Sequence, residues 1–302
     1  MRRNKMLRTN EKDLVMMSVM GHVAHPVKGA KPYLVSHDGK VKVLPGVGGI
    51  TYNKRIGDPC VGLAGDHVEP GVSTRNTDKF EGLGPAYNTA YNALSCVGNE
   101  ATIVSGDAKG DRGIVTGKHG GIEHVLIDFT PETLDKLVIG DRILVKSFGQ
   151  GLELLDYPEI AVRNLDPGLL KKMPIRKKGK GLVVGVAKMV PGAVMGSGLG
   201  ADQTWTGDYD IQLFDRESVK EFGLSDLRFG DIVAILDTDH TYGRIYKKGA
   251  ISIGIIVHSA CLISGHGPGV TTLLTTGVPG KIVPYLDDKA NIAFLLGLRK
   301  NK

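Results

Sequence analysis

The chain has 302 residues, enough for one large domain or two moderate ones with a sizeable core. Lys and Arg total 38 against 32 Asp and Glu, a net charge of +6, and 41% of residues are hydrophobic. The excess charge sits near Arg2–Arg8, in residues 171–180 and at the C-terminus, without interleaved aromatics, which argues against a nucleic-acid surface.

No segment approaches the ~18 apolar residues of a membrane span. Glu11, Lys12 and Asp13 interrupt any export signal at the N-terminus. Cys60, Cys96 and Cys261 are far apart and odd in number, so neither a disulfide framework nor a CxxC pair follows. A soluble protein in a reducing, cytoplasmic setting is expected.

The 42 glycines are dispersed without a period and read as turns between many short strands. Residues 1–20 read as one short helix. Its Met16, Met17 and Met20 make an apolar patch for the core or for a second subunit. Residues 21–65 read as short strands split by turns at Asp38-Gly39, Pro45-Gly46 and Gly48-Gly49, with a hairpin strand over 41–44. The loop 65–71 then offers Asp66, His67 and Glu69, three side chains able to hold a metal.

A helix is expected after Pro85, over Ala86–Leu94, with Tyr87 and Tyr91 on one face. Residues 101–104 read as a strand and 105–121 as a glycine-rich loop carrying Lys118 and His119. Such a loop can bring backbone N–H groups to an anion, but no P-loop pattern is present. A strand over 124–129, a helix over 131–137 capped by Thr130 and a strand over 142–145 follow. The proline- and lysine-rich segment around 166–180 reads as a linker between an N-terminal unit, 1–165, and a C-terminal unit, 181–302. Residues 182–190 read as a buried strand. The GxGxG at 196–200 precedes no helix, so it is not a dinucleotide fingerprint.

An internal echo connects the halves. A shift of 90 residues lays Gly106 over Gly196, Gly110 over Gly200, Thr116-Gly117 over Thr206-Gly207 and Gly140-Asp141 over Gly230-Asp231. An echo of this kind fits two duplicated β units with a ligand cleft between them.

The richest chemistry lies in 230–274. Apolar β-type runs at 232–236 and 251–257 are joined by Asp237, Asp239, His240 and Arg244, and followed by His258 and His266. Asp237 and Asp239 would share one face of an extended strand. With His240 they could hold zinc, manganese or magnesium through oxygen and nitrogen ligands. The spacing is not that of an EF-hand. His258 adjoins a buried run and reads either as a core histidine or as a catalytic one. His266 stands between glycines, where the backbone can approach a ligand and the imidazole can act as a base. His119 and Arg244 are further candidates. A serine-nucleophile elbow is absent.

The blocks SGDAKGDRGIVTGKHGG, GSGLG, GDYDIQ, LRFGDIVAI and HGPGVTTLL resemble a prokaryotic family known as a domain of unknown function, number four-four-three-eight. The resemblance runs from about residue 30 to 276 and implies no activity. A weaker one is to the acetamidase/formamidase β-sandwich amide hydrolases. It rests on Gly207-Asp208-Tyr209-Asp210, with Asp where that family has Asn, and on Gly249-Ala250 and His258. The glutamate-bearing Q-G-D-G-E element is missing, so this likeness implies shared architecture rather than shared machinery.

The expected fold is mainly β: two β barrel or sandwich units with a few short helices. The expected function is metal-assisted hydrolysis of a small polar, amide-like substrate. His258 and His266 would be catalytic, and Asp66, His67, Glu69, Asp237, Asp239 and His240 would be metal ligands. The alternative is a non-catalytic protein that binds a small molecule or anion, or assembles as a homo-oligomer. Neither a nucleic acid nor a membrane is an expected partner.

Overall fold

The structure, a computed structural model, describes residues 7–79, 82, 85–199 and 203–299. The chain opens with β1 (Met17–Val23), a small hairpin of β2 (Leu34–Val35) and β3 (Val41–Lys42), then β4 (Ile50–Thr51) and β5 (Gly71–Arg75). Helix α1 (Ala86–Leu94) precedes β6 (Glu100–Ile103), β7 (Arg112–His119) and β8 (His124–Asp128). Helix α2 (Pro131–Leu134) leads into β9 (Arg142–Ser147) and β10 (Ala161–Val162). After helix α3 (Pro167–Lys172) come β11 (Ile175–Lys178), β12 (Gly181–Val186), β13 (Lys188–Val190), β14 (Met195–Leu199) and β15 (Tyr209–Ile211). Helix α4 (Arg216–Glu221), β16 (Ile232–Asp239), β17 (Ile245–Ile256), β18 (Gly269–Thr276), β19 (Ile282–Leu286) and helix α5 (Ile292–Leu295) complete the order.

The fold is mainly β, as expected. Strands β1, β9, β6, β7, β8 and β5 hydrogen-bond in that order, and β1 also pairs with β5, which closes a six-stranded barrel. Closure removes the unpaired edges that an open sheet would expose. Inward residues such as Val72, Ala101, Val115, Val125, Ile127, Ile143 and Val145 fill it. The second unit is a curled half-barrel, ordered β13-β16-β17-β18-β15-β14, with β10 also joined to β18. Its strand β18 is buried along its whole length. A small sheet, β11-β12-β19, lies beside it.

Three local expectations change. Residues 17–23 form a strand instead of the end of a helix: β1 pairs residue by residue with β9, from Met17↔Ser147 to His22↔Arg142. That ladder outweighs a helical pattern that was never cleanly amphipathic. Val15, Met16 and Met17 remain exposed. The glycine-rich stretch 105–121 is a loop only in its first part, because β7 begins at Arg112 and pairs with both β6 and β8. The lysine-rich segment 166–180 is folded. Asp166 caps α3 through Gly168 and Leu169, and β11 pairs with β12 while Arg176, Lys177 and Lys178 face solvent. Helix α1 keeps its expected bounds, with Tyr91 buried and Tyr87 exposed. No described helix is long and apolar enough to cross a membrane.

The two units meet where β7 runs against β18. The Lys118 backbone N–H donates to Thr271 Oγ1 at 3.3 Å, and Thr271 Oγ1 donates back to the Lys118 carbonyl at 3.0 Å. The Lys118 side chain is wholly buried. Its ammonium donates to Ala93 O, to Asn164 Oδ1 at 2.8 Å and to Trp205 O at 2.6 Å. Burial pushes its pKa down to about 8. Lys118→Met would orphan these three oxygens, so we expect a loss of about 2–3 kcal/mol. Urea unfolding midpoints measure it; an unchanged midpoint would show that the ammonium's desolvation offsets its bonds.

Candidate functional site

The seam between the units gathers side chains from four places. The loop before β5 carries Asp66, His67 and Glu69; β7 ends on His119 and β8 begins with His124. Asp208 precedes β15 and Asp210 lies in it. The connection from β17 to β18 carries His258, Cys261 and His266. Close approach depends on a missing side chain: a Cβ on Gly269 would stand 1.8 Å from Asp208 Oδ2 and 2.3 Å from His258 Nε2.

Glu69 lies at the base of the cluster, with no solvent exposure. Its carboxylate accepts from Gly48 N at 2.6 Å and Ser73 Oγ at 2.5 Å, and meets His119 Nδ1 at 2.6 Å and His124 Nδ1 at 3.0 Å. With Nδ1 engaged, Nε2 is the nitrogen His119 has left. His119, Asp208 and His258 each bring one ligand atom within 4.8 Å of the other two. His258 Nδ1 lies 3.0 Å from the Ser259 carbonyl, so Nε2 faces the cluster. It stands 2.8 Å from Asp208 Oδ2 and 3.3 Å from Asp210 Oδ1. Despite the 2.8 Å contact, neither His258 Nε2 nor Asp208 Oδ2 has a partner in hydrogen-bond geometry.

A second set lies alongside. His67, Cys261 and His266 also bring ligand atoms within 4.8 Å of one another. His67 Nδ1 is 3.1 Å from Asp66 Oδ2, and its Nε2 is 3.2 Å from His266 Nδ1. Asp210 Oδ2 lies 3.1 Å from His266 Nδ1 and 3.7 Å from His67 Nε2. The His67 ring centroid is 5.0 Å from that of His258, so the sets adjoin. His67 holds a left-handed backbone, φ 52°. That conformation costs a non-glycine residue about 1–2 kcal/mol and persists only where the surroundings impose it.

Burial disfavours every charge here, and mutual pairing outweighs it. Burial would raise the Glu69 carboxyl, but His124 and His119 hold it well below its usual range. Asp210, flanked by His258, His266 and His67, is likewise held low against burial. Hydrogen bonds from His67 and Cys261 overcome burial to bring Asp66 down to about 2. Burial would lower His67 and His258, but Asp210 and Asp66 bring His67 up to about 11, and Asp208 and Asp210 raise His258 well above its ordinary value. Burial raises the Cys261 thiol.

Of the residues singled out from sequence, Asp66, His67, Glu69, His119, His258 and His266 converge at this seam. Asp237, Asp239, His240 and Arg244 do not join them. A bulge between Leu236 and Thr238, with Asp237 at φ 55°, breaks the strand alternation that would have put the two aspartates on one face. Asp237 accepts from Gly249 N at 2.7 Å, and Asp239 from Thr241 N and Oγ1 at 3.0 and 2.6 Å. Arg244 donates to the carbonyls of Gly196 and Met195. His240 is buried, bonded to Thr272 Oγ1 at 2.9 Å and tilted against Tyr209.

Asp208, Asp210, Cys261 and His124 were not singled out as site residues. The Asp-Tyr-Asp spacing at 208–210 was a usable signal, since alternate residues of a strand share a face. The cysteine and His124 carried no pattern of their own.

A closed barrel against a curled sheet, with buried imidazoles and carboxylates at their seam, defines a mainly β protein whose His/Asp/Cys clusters could hold a metal ion. Residues 33–171 match the N-terminal domain, and residues 172–296 the C-terminal domain, of the family described as "Domain of unknown function (DUF4438)", and the chain belongs to that family. It is similar to the crystal structure of TM1086, with 48% sequence identity and a TM-score of 0.89 over 95% of this chain and 98% of that one. No functionally curated protein matches it.

His240 yields a test of pH dependence. Burial, with Arg244 nearby, pushes its pKa from 6.5 down to about 3. Below pH 6.5 the unfolded chain takes up a proton that the folded chain refuses, so acid removes stability. The expected slope is about 1.4 kcal/mol per pH unit, continuing towards pH 3. Denaturant melts of His240→Gln should show a pH dependence flatter than wild type by that slope. Parallel curves would mean that His240 is charged in the fold.

Proposed function

We propose that this chain is a metal-assisted hydrolase of a small polar, amide-like substrate, with its metal held by His119, His258 and Asp208. The contact between His258 Nε2 and Asp208 Oδ2 carries the reading. These two buried atoms stand 2.8 Å apart as an ion pair that lacks hydrogen-bond alignment, and a shared third partner would satisfy both more fully. A divalent cation bound by both is such a partner, with His119 Nε2 as its third ligand. The outer contacts agree. Glu69 and the Ser259 carbonyl occupy the two Nδ1 atoms, the arrangement that fixes tautomer and ring direction in metal-bound histidines.

Three protein ligands leave a coordination position for water or substrate. A metal there would lower the pKa of bound water and polarise a carbonyl. Asp210 lies beside this set, its Oδ1 3.3 Å from His258 Nε2. A cleft of about 410 Å³, lined by Lys28, Lys31, Tyr33 and Ile263, reaches Asp66 at the cluster's edge. That volume suits a small molecule, and the two lysines favour a polar or anionic one.

Elemental analysis and ammonia release from small amides such as formamide and acetamide test the proposal. Wild type should carry zinc or manganese and turn over, whereas His258→Ala should lose the metal and at least about a hundredfold in rate. Glu69→Gln should keep the fold while weakening metal affinity about 10–100-fold in a chelator competition. Metal-free wild type, or a rate indifferent to His258, would sink the hydrolase reading.

A further inference from the structure

We propose that the centre is dinuclear: His67 Nε2, His266 Nδ1 and Cys261 Sγ hold a second divalent ion, and Asp210 bridges it to the first. This inference rests on the first ion proposed above and deepens it.

Bonds of about 2.0–2.3 Å in a tetrahedral site place neighbouring ligand atoms roughly 3.3–3.8 Å apart. The second set is slightly tighter than that: 3.2 Å between the two imidazole nitrogens, which stand at hydrogen-bond distance, and 3.1 and 3.7 Å from them to Asp210 Oδ2, so an ion would spread these atoms by a few tenths of an ångström. The cysteine sulfur lies within 4.8 Å of a ring nitrogen of each histidine. Asp210 serves both sets at once, because its other oxygen, Oδ1, is 3.3 Å from His258 Nε2. One carboxylate with an oxygen in each of two adjacent ligand sets is the geometry of a bridge, and two-metal sites hold their ions about 3.5–4 Å apart.

The surroundings of the second set are arranged as for the first. Asp66 takes the Nδ1 side of His67 and leaves Nε2 for the ion. The Ile263 backbone N–H donates to Cys261 Sγ at 3.2 Å, and the thiol donates to Asp66 Oδ1 at 2.9 Å, the proton a bound ion would displace. The left-handed φ of His67 is the backbone strain that aims this imidazole.

Ligand chemistry and exposure then divide the labour. A thiolate selects a thiophilic ion such as zinc or cobalt over magnesium. The first ion's ligands are buried, whereas the His266 side chain is 36% exposed. The second ion therefore lies on the solvent side of the first, with Asp210 between them, and substrate that reaches the first ion's open position passes it.

Apoprotein loaded with cobalt, freed of excess ion and assayed for stoichiometry and electronic spectrum tests this. Wild type should bind two ions per chain and show a thiolate-to-cobalt charge-transfer band. Cys261→Ser should lose that band and one ion while keeping the other; His266→Ala should also fall to one. Asp210→Asn should abolish magnetic coupling between the ions. Circular dichroism guards against unfolding. Wild type binding one ion, with no thiolate band and no response to Cys261→Ser, overturns the second site and leaves the first standing. Wild type binding none overturns both.

Discussion

The register between β7 and β18 is the constraint from which the rest follows. Reciprocal bonds between the Lys118 backbone and Thr271 lock a barrel strand to a half-barrel strand. That lock sets His119, the next residue of β7, 4.3 Å ring to ring from His258. Gly117 packs directly on Val257 and Gly269 admits Asp208, so the seam is tight where the imidazoles meet. A side chain at Gly117 would push the units apart, and one at Gly269 would displace Asp208 and His258 within the second unit.

Electrostatics does the remaining work. Glu69, His119, His124, Asp208, Asp210 and His258 are all buried, and a lone charge among them would carry a heavy desolvation penalty. They persist because each carboxylate is held among imidazoles. The outer carboxylates, Glu69 and Asp66, are well satisfied by backbone and hydroxyl donors or by thiol and imidazole contacts. The inner atoms, His258 Nε2 and Asp208 Oδ2, are not. At the centre an imidazole and a carboxylate face each other 2.8 Å apart without hydrogen-bond alignment. His240 is also buried with an unpartnered Nε2, but burial keeps it neutral and its ring tilts against Tyr209.

The repeated turn at Gly140-Asp141 and Gly230-Asp231 gives the sequence echo a structural counterpart. Both glycines have positive φ, and both aspartates accept from the backbone N–H three residues earlier, Val138 and Arg228. Each turn opens a strand, β9 and β16. The strands then pair differently: β9 lies antiparallel between β1 and β6, while β16 runs parallel to β13. One unit closes and the other stays curled.

By itself, the sequence determined what is local. Turn residues, the Thr130 cap, the bounds of α1 and the apolar runs of β16 and β17 follow from backbone preferences that act within a few residues. It also placed candidate ligands in the two loops that prove to converge. Tertiary structure decided which candidates meet. Asp237 and Asp239 parted because a bulge, which no residue type announces, reversed the alternation. Asp208, Asp210 and Cys261 joined His67 because strands about 140–195 positions later in the chain pack against its loop. Such pairing depends on closing a barrel and docking a second sheet, a long-range packing free energy that no window of sequence contains.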